Sequence, residues 1–261
     1  MTLVDPERVA AVIRAVAEEA VLPRFRNLSA GDIKEKTGPA DLVTVADTES
    51  ERLLTAALTE LLPGSTVVGE EAAAADETVL ARLEGDAPVW ILDPVDGTAM
   101  FAKGDPGFAM IVALAARGRT VAGWIHDPMP NRTAVAELGK GAWLDGKRMH
   151  VAADRPIGDM VGGVWWSPAA KAIVPKVRET RNPYSAGLGY MALASGALDF
   201  AVFRRLNPWD HAAGVLMHLE AGGTAMLVDG EPYRPVPIMK PLLVAPGPLS
   251  WQALAALIPA A

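Results

Sequence analysis

The chain has 261 residues, 51% of them hydrophobic, enough for one large domain or two small ones around a sizeable core. Its formal net charge of -7 disfavours non-specific binding to nucleic acid or to an acidic membrane, and its densest basic cluster is only Arg204-Arg205. With no cysteine, disulfides and thiolate chemistry are excluded, so any metal must be held by oxygen or by the four histidines.

In chain order, Val9, Val12, Ile13 and Val16 recur at helical spacing after Asp5-Pro6, which predicts a helix from Pro6 to Leu22. A second helix is expected from Thr44 to Leu62, with Leu54, Leu58 and Leu61 on one face and Pro63-Gly64 ending it. Thr66-Val67-Val68 reads as a short strand followed by Gly69-Glu70-Glu71, and Ala72 to Glu84 as a short helix or a loop. Val89-Trp90-Ile91-Leu92 reads as a buried strand that Pro94 and Gly97 stop.

Four strands are then expected: Phe108 to Ala115, Thr120 to Ile125, Thr133 to Glu137 and Ala142 to Leu144. The turn signals between them, such as Arg117-Gly118 and Asp145-Gly146, suggest an antiparallel meander. Later come a helix rich in small residues (Ser185 to Gly196), a strand (Phe200 to Phe203), a helix entered through Asn207-Pro208 (Trp209 to Ala221) and a last helix (Leu249 to Leu257). Layered α+β or α/β construction follows, with an N-terminal part over 1–147 carrying most motifs and a C-terminal part over 148–261. The segment Met1 to Glu7 has no secretory pattern, and no apolar run, Phe108 to Ala116 included, is long enough to span a bilayer. A soluble cytoplasmic protein is expected.

Chemistry concentrates in Asp93-Pro94-Val95-Asp96-Gly97-Thr98. Two acids leave a strand end, where open α/β-type sheets place ligands, and oxygen donors on a turn suit a hard cation such as Mg²⁺. Gly97 and Thr98 offer N–H groups and a hydroxyl to an anion. A metal site beside an anion site suggests phosphate chemistry. Singly, each piece has a plainer reading. Asp93-Pro94 makes a turn, Asp47, Thr98 and Asp210 are helix caps or first-turn residues, and Glu70 and Glu71 are loop acids. His126, His150, His211 and His218 are expected to be structural or exposed, and the tryptophans, Trp165 and Trp166 among them, to lie in the core or at an interface.

Four pieces occur in order: Asp41-Leu42-Val43-Thr44 leading to Asp47, Gly69-Glu70-Glu71, Asp93-Pro94-Val95-Asp96-Gly97-Thr98, and Trp209-Asp210-His211-Ala212-Ala213-Gly214 followed by Gly222-Gly223. Together they closely resemble the inositol monophosphatase family of lithium-sensitive, metal-dependent phosphatases. The resemblance implies a five-layer αβαβα sandwich of the inositol monophosphatase and fructose-1,6-bisphosphatase type, assembled as a homodimer. It also implies two to three Mg²⁺ ions and inhibition by Li⁺. Asp93 would bridge two ions. Glu70 and the Val95 carbonyl would complete the first site, Asp96 and Asp210 would hold the second, and Glu70 would reach a third through water. Thr98, paired with Asp47, would orient the attacking water, making Glu70, Thr98 and Asp47 the catalytic set. The substrate pocket would draw on Asp96, Gly97, Thr98, Ser185, Ala186, Phe203 and Asp210.

Two positions depart from the family pattern. Phe203 stands seven residues before Asp210, where better-studied inositol-phosphate members carry a Glu that meets substrate hydroxyls, and Arg204-Arg205 follow it. Met100 stands where many members carry Asn. The expected substrate is a small phosphorylated metabolite, with a sugar or polyol phosphate first and histidinol phosphate second. A fructose bisphosphate fits too, whereas Ala99-Met100 does not match the Lys-Glu of adenosine-bisphosphate phosphatases. Different classes are a non-catalytic regulatory binding partner and a sensor of Mg²⁺ or phosphate. Neither needs the water-orienting Thr98 and Asp47.

Overall fold

The structure is a computed structural model that describes residues 3–38, 41–164 and 168–259. Trp165 and Trp166 lie outside the described residues.

Helix α1 (Pro6–Val16) starts on an Asp5 cap. The expected continuous helix to Leu22 leaves the α pattern at Ala17, passing through a π turn (Ala17–Val21) and a 3₁₀ turn (Leu22–Arg24). Pro23 has no N–H to close an α-type bond, and the coiling changes ahead of it. A hairpin not expected from the sequence, β1 (Ile33–Gly38) and β2 (Asp41–Thr44), leads into α2 (Val45–Leu61). Then come β3 (Thr66–Gly69), α3 (Glu70–Ala75), a 3₁₀ stretch (Glu77–Glu84), β4 (Val89–Asp96) and α4 (Thr98–Ala102).

The meander follows as β5 (Ala109–Ala116), β6 (Arg119–Asp127), β7 (Arg132–Glu137), β8 (Gly141–Leu144) and the short β9 (Lys147–Arg148). The rest comprises β10 (Val161–Val164), α5 (Pro168–Ile173), β11 (Glu179–Arg181), α6 (Ala186–Ala194), β12 (Phe200–Phe203), α7 (Pro208–Glu220), β13 (Thr224–Leu227), β14 (Leu242–Ala245) and α8 (Pro248–Ala255).

Strands β3 to β9 form one sheet in sequence order, parallel only at β3–β4. A second sheet has the order β11-β10-β12-β14-β13. Side-chain alternation assigns each face of the first sheet. Trp90 and Leu92 of β4 and Met110, Val112 and Leu114 of β5 pack with Val9, Ile13, Leu54 and Leu58 of α1 and α2. Ile91, Ile111 and Ala113 point the other way, into a core shared with Tyr190 and Leu193 of α6, Ala213 and Met217 of α7, and Ala201 and Val244 of the second sheet. Phe200, Val202 and Leu243 cover the far face of that sheet with Trp251 and Leu254 of α8. These three apolar interfaces give the layers α, β, α, β, α.

The middle layer is thin because its residues are small. A Cβ on Gly123 of β6 would fall 2.7 Å from the Cα of Ala213, so only glycine lets α7 lie so close to the sheet. That closeness brings the first turn of α7 down to the end of β4. Among the described residues no helix is long and apolar enough to cross a membrane.

Candidate metal and phosphate site

The strand that the sequence places at Val89 to Leu92 continues through Asp96. Asp93 pairs with Ile111 and Asp96 with Ala109, so three steps along β4 match two along β5. This extra residue is a bulge at Pro94-Val95, where proline cannot give a ladder hydrogen bond. In a regular strand, residues three apart point to opposite faces. The bulge cancels that alternation, and both carboxylates reach the α6–α7 side.

Asp96 meets the start of α6. The N–H groups of Ala186 and Gly187 donate to its two oxygens at 3.1 and 2.6 Å. Ser185 caps the same helix, accepting from the N–H of Leu188 at 3.3 Å. The expected substrate residues Ser185 and Ala186 are thus placed around Asp96, and the Ala186 N–H is already engaged. Asp210 lies in the first turn of α7, after Asn207-Pro208, and accepts from Asn207 Nδ2 at 3.1 Å. One carboxylate oxygen from each of Asp93, Asp96 and Asp210 lies within 4.8 Å of the others.

The Gly97 backbone has φ 95°, and a Cβ there would come within 2.8 Å of the Gly107 carbonyl oxygen. Glycine is required at this corner, which starts α4 at Thr98. The Thr98 hydroxyl lies 3.0 Å from Asp47 Oδ1 and 2.9 Å from the Val95 carbonyl oxygen. Asp47 also serves as a cap: its Oδ2 accepts from the N–H and the hydroxyl of Thr44 at 2.8 and 2.6 Å. Its reading as a cap therefore holds, and it also meets the Thr98 hydroxyl.

Glu70 is not one of the three converging carboxylates. Lys36 Nζ of β1 donates to Glu70 Oε1 at 2.9 Å and to Glu71 Oε1 at 2.6 Å. Burial alone would lower the Lys36 pKa, but the charges of Glu70 and Glu71 raise it above its ordinary value. Glu51 of α2 supports the same corner, accepting from the N–H groups of Glu71 and Ala72 at 2.8 Å each. The sequence reading missed Lys36 and Glu51. Acids inside α2 were a faint signal for the second, and nothing local marked the first.

Burial, then the charges of Glu70, Asp96 and Asp210, hold the Asp93 carboxyl well above the usual range. Asp210 is raised in the same way, by burial and then by Asp96 and Glu70. Burial pushes Asp96 up to about 6 against its bonds from Gly187, Ser185 and Ala186. Burial likewise takes Asp47 to about 6 despite the Thr44 and Thr98 hydrogen bonds. Converging, desolvated carboxylates with no cation from the described residues among them either take up protons or bind a metal. All donors are oxygen, which suits a hard divalent ion.

Phe203 packs inward. It stacks on Tyr190 at 4.9 Å between ring centroids and meets the His211 ring edge-on at 4.8 Å. His211 sits beside Asp210, yet its Nδ1 is 3.0 Å from the Tyr190 hydroxyl and its Nε2 is 3.1 Å from the Arg205 carbonyl oxygen. Both ring nitrogens are committed within the protein.

The sequence pattern of the inositol monophosphatase family is matched over residues 5–261. The chain is similar to a Thermotoga maritima protein named fructose-1,6-bisphosphatase/inositol-1-monophosphatase, at 34% identity over 205 residues covering 77% of each chain. It is also similar to the inositol-1-monophosphatase of Caulobacter vibrioides, at 36% identity over 207 residues, 74% of this chain and 78% of that one. Among solved structures, an IMPase of Thermotoga maritima superposes with a TM-score of 0.83 at 27% identity, covering 95% of this chain and 94% of the other. The chain therefore belongs to the inositol monophosphatase family, metal-dependent phosphatases that hydrolyse phosphomonoesters.

Proposed function

We propose that this chain is a Mg²⁺-dependent monoesterase for a small sugar or polyol phosphate. The observation that carries this reading is the convergence of Asp93, Asp96 and Asp210 beside the Thr98–Asp47 pair. Asp93, Asp96, Asp210 and the Val95 carbonyl would hold the cations, with Glu70 reaching them from its bond to Lys36. Bound there, divalent ions lower the pKa of water and offset charge on the phosphoryl and leaving oxygens.

The protein's own groups supply the geometry. Asp47 holds the Thr98 hydroxyl, whose remaining lone pair accepts a hydrogen bond from the attacking water and aims it in line with the ester bond. The N–H groups of Gly97 and Thr98 at the start of α4 bind the phosphate oxygens. Water forms the new P–O bond, the ester P–O bond breaks, and the leaving alcohol takes a proton. The products are inorganic phosphate and an alcohol, with no covalent phospho-enzyme.

Phe203 in place of a carboxylate removes one partner for substrate hydroxyls, which supports a substrate other than inositol 1-phosphate. The Thermotoga maritima relative's name supports including a sugar bisphosphate. Phosphate release from inositol 1-phosphate, fructose 1,6-bisphosphate, histidinol phosphate and adenosine 3′,5′-bisphosphate, with Mg²⁺, without it, and with Mg²⁺ plus Li⁺, tests the reading. Mg²⁺-dependent release that Li⁺ blocks is expected, and the fastest ester names the substrate class. No release from any ester by folded, Mg²⁺-binding protein would favour a regulatory binding role instead.

A further inference from the structure

A cavity of about 470 Å³ opens between the β5–β6 turn, the second half of α7 and residues 232–235, and none of the proposed metal or water-positioning residues lines it. Its rim holds Arg117, Arg119 and Arg234, and its wall includes Leu216, Leu219 and Tyr233. Arg117 and Gly118, with φ 53° and 71°, form the two-residue turn joining the paired Ala116 and Arg119. Such turns favour asparagine or glycine at their first position, and an arginine there is held in a strained backbone. Arg234 folds over the turn: its Nη2 is 3.3 Å from where a Cβ on Gly118 would stand.

Among the described residues these three guanidinium groups have no hydrogen-bond or ion-pair partner, although the chain carries a net charge of -7. Three acids on neighbouring segments are committed elsewhere, the first being Asp229, which pairs with Lys240 at 2.6 Å. Glu137 pairs with Lys140 at 2.7 Å, and Glu220 accepts from the N–H groups of Gly139 and Gly141 at 2.7 Å each. Below the arginines the wall is apolar, and Leu219 is 45% exposed. Tyr233 lines the cavity and packs against the core shared by the two sheets, and its hydroxyl is buried without a hydrogen-bond partner among the described residues. Three unpaired guanidinium groups above an apolar wall are complementary to an anionic head on an apolar body.

We propose that this cavity binds a small organic anion of the phosphomonoester or phosphonate class, at a site separate from the carboxylate cluster. The dianionic head lies among Arg117, Arg119 and Arg234, and the apolar body rests on Leu216 and Leu219.

Phenylphosphonate is a suitable probe, because its C–P bond is not an ester and survives the phosphatase. It is titrated calorimetrically into the full chain in buffer stripped of divalent ions by a chelating resin, where the bare carboxylate cluster repels anions. One-to-one binding is expected, weakened at least about tenfold by Arg119→Ala or Arg234→Ala and partly kept by Arg234→Lys. Both arginines are exposed, so circular dichroism and turnover in Mg²⁺ should be unchanged. Benzoate, with the same ring and a single charge, should bind more weakly, and equal binding would overturn the assignment to phosphate chemistry. No binding up to about 10 mM, or equal affinity in the arginine variants, would overturn the site itself.

Discussion

The Thr98 hydroxyl stands 3.0 Å from Asp47 Oδ1 and 2.9 Å from the Val95 carbonyl oxygen, and its one proton serves one of them at a time. A cation on the Val95 carbonyl would leave the proton to Asp47 and a lone pair to the attacking water. Thr98→Ala should therefore lower kcat by about 10²-fold or more while KM changes little. The same hydroxyl ties α4 to the buried Asp47 of α2, so Thr98→Ala should also lower stability, by about 1 kcal/mol. Asp47→Ala should lose both activity and stability, because Asp47 also holds Thr44 at the start of α2. The lost cap costs about 1 kcal/mol. Steady-state kinetics beside melting curves separate the two effects, and a Thr98→Ala enzyme of normal kcat would sink the water-positioning role.

Burial and the charges of Glu70, Asp96 and Asp210 raise the Asp93 pKa, and burial and the charges of Asp96 and Glu70 raise that of Asp210. Replacing Asp93 with asparagine removes one like charge from a desolvated cluster. The metal-free protein should become more stable, by about 1–2 kcal/mol, when melted near neutral pH. Turnover should fall at least about 10³-fold and its Mg²⁺ requirement should shift upward. A variant both inactive and destabilised without metal would show that the cluster is a structural element instead.

Much of the site was legible because each carboxylate sits where a strand or helix ends and the chain writes that ending in proline and glycine. Asp93-Pro94, Gly97-Thr98 and Asn207-Pro208 are such endings, as is the Ser185 cap. The bulge that turns Asp93 and Asp96 to one face was not legible, because the proline suggested a stop and register depends on the neighbouring strand. Lys36 was missed because its partners lie on α3, across a hairpin whose strands carry no clear alternation. Phe203 occupies a position that the family pattern assigns to the pocket, yet its ring stacks on Tyr190. That contact depends on how α6 packs on β12, which a one-dimensional pattern does not contain. The small residues Gly123, Ala212, Ala213 and Gly214 were visible, but only the packed layers show that they set the depth of α7.

Gly97 joins β4 to α4 with φ 95°, and a Cβ there meets the Gly107 carbonyl oxygen at 2.8 Å and the Ser185 Cβ at 3.1 Å. Both neighbours are fixed, one by its backbone and the other by its place at the α6 cap. Gly97→Ala should cost about 1–3 kcal/mol and displace Thr98. Activity should fall even at temperatures where the variant remains folded. Urea unfolding paired with an assay at low temperature would detect this, and an alanine variant of unchanged stability would rule out strain at this corner.

Three buried histidines, His126, His211 and His218, are each lowered by burial from 6.5 to about 4 and should set the acid limit of the fold. The Nε2 atoms of His211 and His218 lie near carbonyl oxygens, of Arg205 and Ala245 respectively. The folded pKa is below the unfolded one, so the unfolded chain binds more protons across this window and stability rises with pH. The histidines' contribution is complete above about 6.5 and disappears as pH falls toward about 4. A shift of this size corresponds to about 3 kcal/mol per ring, a large share of a typical folding free energy. The raised carboxyls act in the opposite direction in metal-free protein, since they take up protons on folding as pH falls through about 6. Melting in saturating Mg²⁺ isolates the histidine effect. There the melting temperature should fall steadily from pH 6.5 to 4, and His218→Gln, which keeps a donor for the Ala245 carbonyl but cannot titrate, should flatten that slope. An unchanged slope in His218→Gln would remove His218 from the account of acid unfolding.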